Sequence, residues 1–117
     1  MRSAGAACAD FCCVLLFVVI GRANHHAGGG LAGLWDTFWP FAAGTAIGLL
    51  ATRFWRRPAA LAPTGVGVWL CTVAIGMTLR VIAGQGTAFA FILVALAFLG
   101  LLQLGWRVVW QRVPGTA

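Results

Sequence analysis

Lysine and glutamate are missing from this 117-residue sequence, and its acids number two, Asp10 and Asp36. Charged residues make up 9% of the chain, while hydrophobic ones reach 62%. A soluble globular domain carries about 25% charged and about 45–50% apolar residues, so this scarcity excludes an ordinary water-facing surface. It equally excludes a disordered chain, which needs low hydrophobicity and high charge. Catalytic signatures are absent as well: there is no H-E-x-x-H, no G-x-S-x-G and no phosphate loop. No enzyme activity and no cofactor are expected. Cys8, Cys12, Cys13 and Cys71 lie inside apolar runs and lack the spacings of a disulfide scaffold or a zinc site. They read as small packing residues.

What the chain has instead is long apolar runs, over 4–20, 37–52, 65–79 and 88–104, and a mean hydropathy of +0.95. A spanning helix needs about 20 residues, so the second and third runs must extend into their flanks. The fold class expected is an all-α membrane protein, an antiparallel bundle of four transmembrane helices over approximately 4–20, 37–54, 65–83 and 88–106. The whole of 1–117 forms one transmembrane domain in this reading. A β-barrel would need alternating strands of about ten residues, and these runs are continuous.

The connectors differ in chemistry. The first, 21–36, is glycine-rich and expected to be irregular. The second, 53–64, carries Arg53, Arg56, Arg57, Pro58 and Pro63, which end helices on both sides. The third, 84–87, is a tight turn between antiparallel neighbours. A pI near 11.2 would suggest nucleic acid in a soluble protein, but the arginines cluster at the ends of apolar runs, as membrane topology requires. No nucleic acid partner is expected; the lipid bilayer is. Arg2, Arg53, Arg56, Arg57, Arg107 and Arg112 fall on one side, against Arg22 and Arg80 on the other, which predicts N-in and C-in. Residues 1–23 also have the outline of a signal peptide, but Asp10 sits badly at the entrance to its apolar core, so retention is expected.

In a membrane the few polar residues carry the functional information. Asp10 lies about 9 Å into the first helix at 1.5 Å per residue. It is either a titrating or ligand-binding carboxylate or a structural partner for an arginine. The same arithmetic brings Gln103 of the fourth helix close to its level, about 22 Å from the outer surface, and places Thr72 about 10 Å from the inner one. Trp69, Thr72, Gly76 and Arg80 share one stripe of the third helix. Asp10, Trp69, Thr72, Gln103 and Arg107 therefore form a candidate inner polar layer, with packing by interhelical hydrogen bonds as its plain alternative. Arg22, His25, Asp36 and Arg80 form a candidate outer cluster, either an Arg80–Asp36 ion pair or an anion or headgroup site. His25 and His26 are adjacent and point apart on most backbones, so no metal is expected. Trp39-Pro40 is placed near the start of the second helix, where proline is tolerated. Gly44 and Gly48 make a GxxxG that permits close contact within the bundle or between two chains, a homodimer through that face being one option.

In order along the chain stand Asp10, Gly21-Arg22-x-x-His25, Trp39-Pro40-Phe41 with Gly44, and Pro63-Thr64-Gly65. Trp69, Thr72, Gly76-Met77, Leu79-Arg80, Gly86-Thr87, Phe91 with Val94, and Gly105-Trp106-Arg107 complete the series. This ordered set resembles the small bacterial and archaeal membrane proteins grouped as domain of unknown function 3054 (DUF3054). The resemblance implies a four-helix, multi-pass protein of a bacterial cell membrane, with no assigned activity. Two functions compete: a small proton- or anion-linked transporter or channel using Asp10, or a non-transporting membrane subunit that packs against a partner. The first predicts a cavity reaching Asp10, the second a dry bundle with Asp10 paired to an arginine.

Overall fold

Apolar sequence in lipid must satisfy its own backbone hydrogen bonds, and a helix does so within one segment. The computed structural model describes residues 2–24, 30–85 and 88–112. They form α1 (Ser3–Asn24), α2 (Gly30–Ala51), α3 (Val66–Ile82) and α4 (Phe89–Arg112), with a single wide turn, Leu61–Gly65, leading into α3. No strand occurs among the described residues.

Side-chain contacts fix the topology. Phe17 meets Phe41 while Arg22 meets Thr37, so α1 and α2 run antiparallel. Thr45 meets Thr72 while a side chain on Gly76 would strike Phe41, which sets α2 against α3 in the same way. Trp69 reaches Leu96 and Arg80 covers Phe91, pairing α3 with α4. Asp10 reaches Arg107 and Phe17 packs on Phe98, which closes the ring between α4 and α1. The bundle measures 44 × 25 × 24 Å, and its long axis matches the about 40–45 Å of a bilayer with its headgroups. Three helices are long and apolar enough to cross a membrane: Ser3–Ala23, Leu61–Ile82 and Phe89–Arg112. The 22 residues of α2 would extend about 33 Å, but Trp35, Asp36, Trp39 and Pro40 lower the hydropathy of its first half.

The α1 helix runs on to Asn24 instead of ending near 20, α2 stops at Ala51 instead of 54, and two boundaries depart further from expectation. The α2 helix starts at Gly30 instead of 37, so the end of the first connector is helical. Leu34 and Phe38 lie one turn apart and both pack on the core, and that burial outweighs the local cost of Gly33. Pro40 consequently sits ten residues inside α2 instead of near its start. Proline has no N–H, so the carbonyl four residues back loses its helical donor. Here that carbonyl is Asp36's, and the Gln85 side-chain amide donates to it at 2.9 Å. The second departure is α4, which continues to Arg112 and carries its last turn past the connector between α2 and α3.

The core divides by height. Val14, Phe17, Val18, Phe41, Val73, Met77, Ala95 and Leu99 make a buried apolar cluster, with Phe17 edge-on to Phe41 at 5.5 Å. Below it, toward the end where α1 begins, α4 ends and the second connector lies, the interior turns polar. Gly44 and Gly48 face α3 of the same chain: an added Cβ at Gly44 would lie 2.8 Å from the Cys71 carbonyl, and at Gly48 2.9 Å from the Val68 Cα. The GxxxG face is thus taken up inside the bundle, and a second copy would have to meet some other surface. Cys8 and Cys12 are exposed on α1 instead of packed, and all four cysteines are free thiols.

Candidate functional site

The deepest charge on α1 and the last buried charge on α4 meet. Arg107 Nη1 donates to Asp10 Oδ1 and Arg107 Nη2 to Asp10 Oδ2, both at 2.7 Å, with both side chains 0% exposed. This is the bidentate geometry in which guanidinium and carboxylate match donor for acceptor. It is the one ion pair among the described residues. A third donor, Trp106 Nε1, reaches Asp10 Oδ1 at 3.0 Å. The guanidinium also lies over the Trp106 ring, 4.4 Å from its centroid. Its remaining hydrogen bonds go to main chain: Nε to the Pro58 carbonyl at 3.1 Å and Nη1 to the Gln103 carbonyl at 3.0 Å. Arg107 therefore joins α4, α1 and the second connector.

The connector is shaped to receive it. Thr64 Oγ1 donates to the Arg57 carbonyl at 2.8 Å, and Gln111 Nε2 to the Ala59 carbonyl at 2.9 Å, holding this segment under the bundle. Gly65 lets the arginine pass: a Cβ there would be 2.9 Å from Arg107 Cδ.

One turn further in lies a second buried group. Thr72 Oγ1 donates to the Val68 carbonyl at 2.7 Å, which leaves Thr45 to donate to Thr72 Oγ1, also at 2.7 Å. With both hydroxyl protons committed, Gln103 must present its NH2, at 3.3 Å from Thr45 and 3.4 Å from Thr72. Its Oε1 then has no partner, the one such buried side-chain atom among the described residues.

Of the inner-layer candidates, Asp10 and Arg107 form one group and Thr72 and Gln103 another, linked through the Gln103 main chain. Trp69 stands apart: its Nε1 donates to the Leu96 carbonyl at 2.9 Å and its ring lies against Gly100, clamping α3 to α4. Thr45, Trp106 and the Pro58 carbonyl belong to the network and were not picked out from sequence. Trp106 lies near the end of an apolar run, where tryptophans gather at a membrane interface, and no property of a lone sequence separates that role from a carboxylate donor. Thr45, one residue after Gly44, was the more findable, because a small residue that brings two helices close also brings its neighbour's hydroxyl within reach.

At the other end, Arg22 Nη1 donates to Thr37 Oγ1 and Arg80 Nη1 to Gln85 Oε1, both at 2.9 Å. The Arg80 guanidinium covers Phe91 at 4.6 Å. The Arg80–Asp36 ion pair is not formed: the Asp36 side chain is exposed, and Gln85 stands between them, accepting from Arg80 and donating to the Asp36 main chain. His25 and His26 lie outside the described residues. No group of three or more metal-ligating side chains occurs among the described residues.

Fold and interior define a class: an all-helical bundle of membrane type, pinned at one end by a buried, fully hydrogen-bonded ion pair. Within that class the chain belongs to the family described as Protein of unknown function (DUF3054), whose model matches residues 7–110. Neither a curated protein nor a solved structure matches it.

Proposed function

We propose that this chain is a four-span, N-in/C-in protein of the cell membrane that acts as a non-transporting subunit, its interior polar residues holding the helices together. The observation that carries this reading is Asp10, sealed at 0% exposure and held by three side-chain donors. A carboxylate that binds and releases a proton or solute needs a path and an exchangeable partner. Here its partner is a guanidinium that never deprotonates in proteins, and breaking such a pair leaves an uncompensated buried charge. The lipid-facing exterior is then what remains for a protein partner to meet.

The transport reading keeps one observation of its own, the unpartnered Gln103 Oε1 next to the pair. A purified preparation in sealed liposomes separates the two. The subunit reading expects proton and anion leak equal to that of protein-free vesicles across pH 5–8, in wild type and in Asp10→Asn alike. A wild-type leak abolished by Asp10→Asn would replace it with transport. Co-purification of a stoichiometric membrane partner is the positive result expected.

A further inference from the structure

A cavity of about 440 Å³ opens at the end opposite the Asp10–Arg107 pair, within the range of about 300–1,000 Å³ usual for ligand sites. Its walls come from all four helices. Arg22, Thr37 and Arg80 line it together with Phe17, Val18 and Val94. The polar groups lie toward the helix ends and the apolar ones deeper, Phe17 being about 7.5 Å below Arg22 along α1. Val94 lines the cavity and is 53% exposed on the flank of α4, so the opening faces sideways, where bilayer chains lie.

Charge completes the picture. Arg22 donates to the Thr37 hydroxyl and Arg80 to the Gln85 amide oxygen. The sequence holds two carboxylic side chains in all. Asp10 is bound to Arg107 at the far end, and Asp36 is exposed and in ion-pair contact with neither arginine. Two fixed positive charges against one negative therefore sit over an apolar slot. Guanidinium groups match phosphate oxygens with paired donors, and a slot with largely apolar walls suits a hydrocarbon chain better than water.

We propose that this cavity binds one anionic phospholipid of the surrounding bilayer, its phosphate at Arg22 and Arg80 and an acyl chain running down past Phe17 and Val94. The site lies at the opposite end from the ion pair and stands whether or not the subunit reading holds.

Native mass spectrometry of the full chain in detergent tests it, with phosphatidylglycerol, phosphatidylcholine and inorganic phosphate as probes. One phosphatidylglycerol per chain should be retained at concentrations where phosphatidylcholine is not. Arg22→Gln and Arg80→Gln should each lower that affinity about tenfold, the loss of one charge-assisted hydrogen bond. Val94→Trp keeps both charges and fills the lateral opening from a lipid-exposed position, and it should also lose the lipid. The triple variant R53Q/R56Q/R57Q, at the other end, should bind as wild type does. Equal retention of phosphatidylcholine, unchanged binding in R22Q/R80Q, or loss confined to the triple variant would each overturn the proposal. Displacement of the lipid by millimolar phosphate would overturn it too, by reducing the site to one for a free anion.

Discussion

Removing Asp10 alone would leave the Arg107 guanidinium buried without its counter-charge, and removing Arg107 alone would strand the carboxylate. Truncating one member of a buried pair costs about 3–5 kcal/mol, whereas replacing both with apolar residues is often neutral or better. Asp10→Leu and Arg107→Met should therefore each lower the unfolding midpoint in detergent sharply, and the double variant should recover much of the loss. A double variant less stable than either single change would show that the pair stabilises by more than mutual compensation. Gln103 supplies a contrasting case. The hydroxyl protons of Thr45 and Thr72 are satisfied without it, and its own Oε1 is unpartnered, a burden of about 1–3 kcal/mol. Gln103→Leu should hold or raise the midpoint, and a large drop would reveal a partner for Oε1. Heights were legible in the sequence because the helical rise is constant, which is why Asp10, Thr72, Gln103 and Arg107 were grouped. Rotation about each axis and the path of the second connector were not, so Trp106, Thr45 and the Pro58 carbonyl were missed and Trp69 was placed with groups it does not bond.

Helix pairs are set by where a side chain is forbidden. At Gly44 an added Cβ would lie within 3.0 Å of Cys71 and Thr72 main-chain atoms, which cannot swing aside as a side-chain tip can. At Gly21, inside α1, the same Cβ would meet nothing within 4 Å. Gly44→Ala should thus push α2 off α3 and destabilise by about 1–3 kcal/mol, the usual cost of overpacking. Gly21→Ala should stabilise by about 0.5–1 kcal/mol through helix propensity alone. Thermal midpoints of the two variants, measured side by side, check both signs; equal shifts would mean the α2–α3 contact is looser than described. Four helices and their antiparallel order could be read from run lengths and short connectors. The start of α2 could not, because Gly30 and Gly33 speak locally for a loop, and only contacts of Leu34 and Phe38 with the other helices decide otherwise. The repair of Pro40 was equally hidden, since its freed carbonyl is satisfied by Gln85, 49 residues away in sequence.

At the scale of the whole molecule, the arginine asymmetry gains a correction. Arg107 is neutralised inside the bundle by Asp10, so the end carrying the second connector presents Arg2, Arg53, Arg56, Arg57 and Arg112, against Arg22 and Arg80 opposite. Five against two still predicts the N-in/C-in orientation, and most of the excess lies in one short segment. Impermeant thiol labelling in cells tests this in a background with the four native cysteines replaced by alanine. Ala83→Cys, exposed beyond the end of α3, should label in intact cells, while Trp55→Cys in the second connector should label after permeabilisation alone. Adding R53Q/R56Q/R57Q leaves two arginines against two, and both positions should then label partially as the chain inserts in both orientations. The reverse pattern in the parent background would place the Asp10–Arg107 pair in the outer half of the membrane and the two-arginine cavity in the inner half.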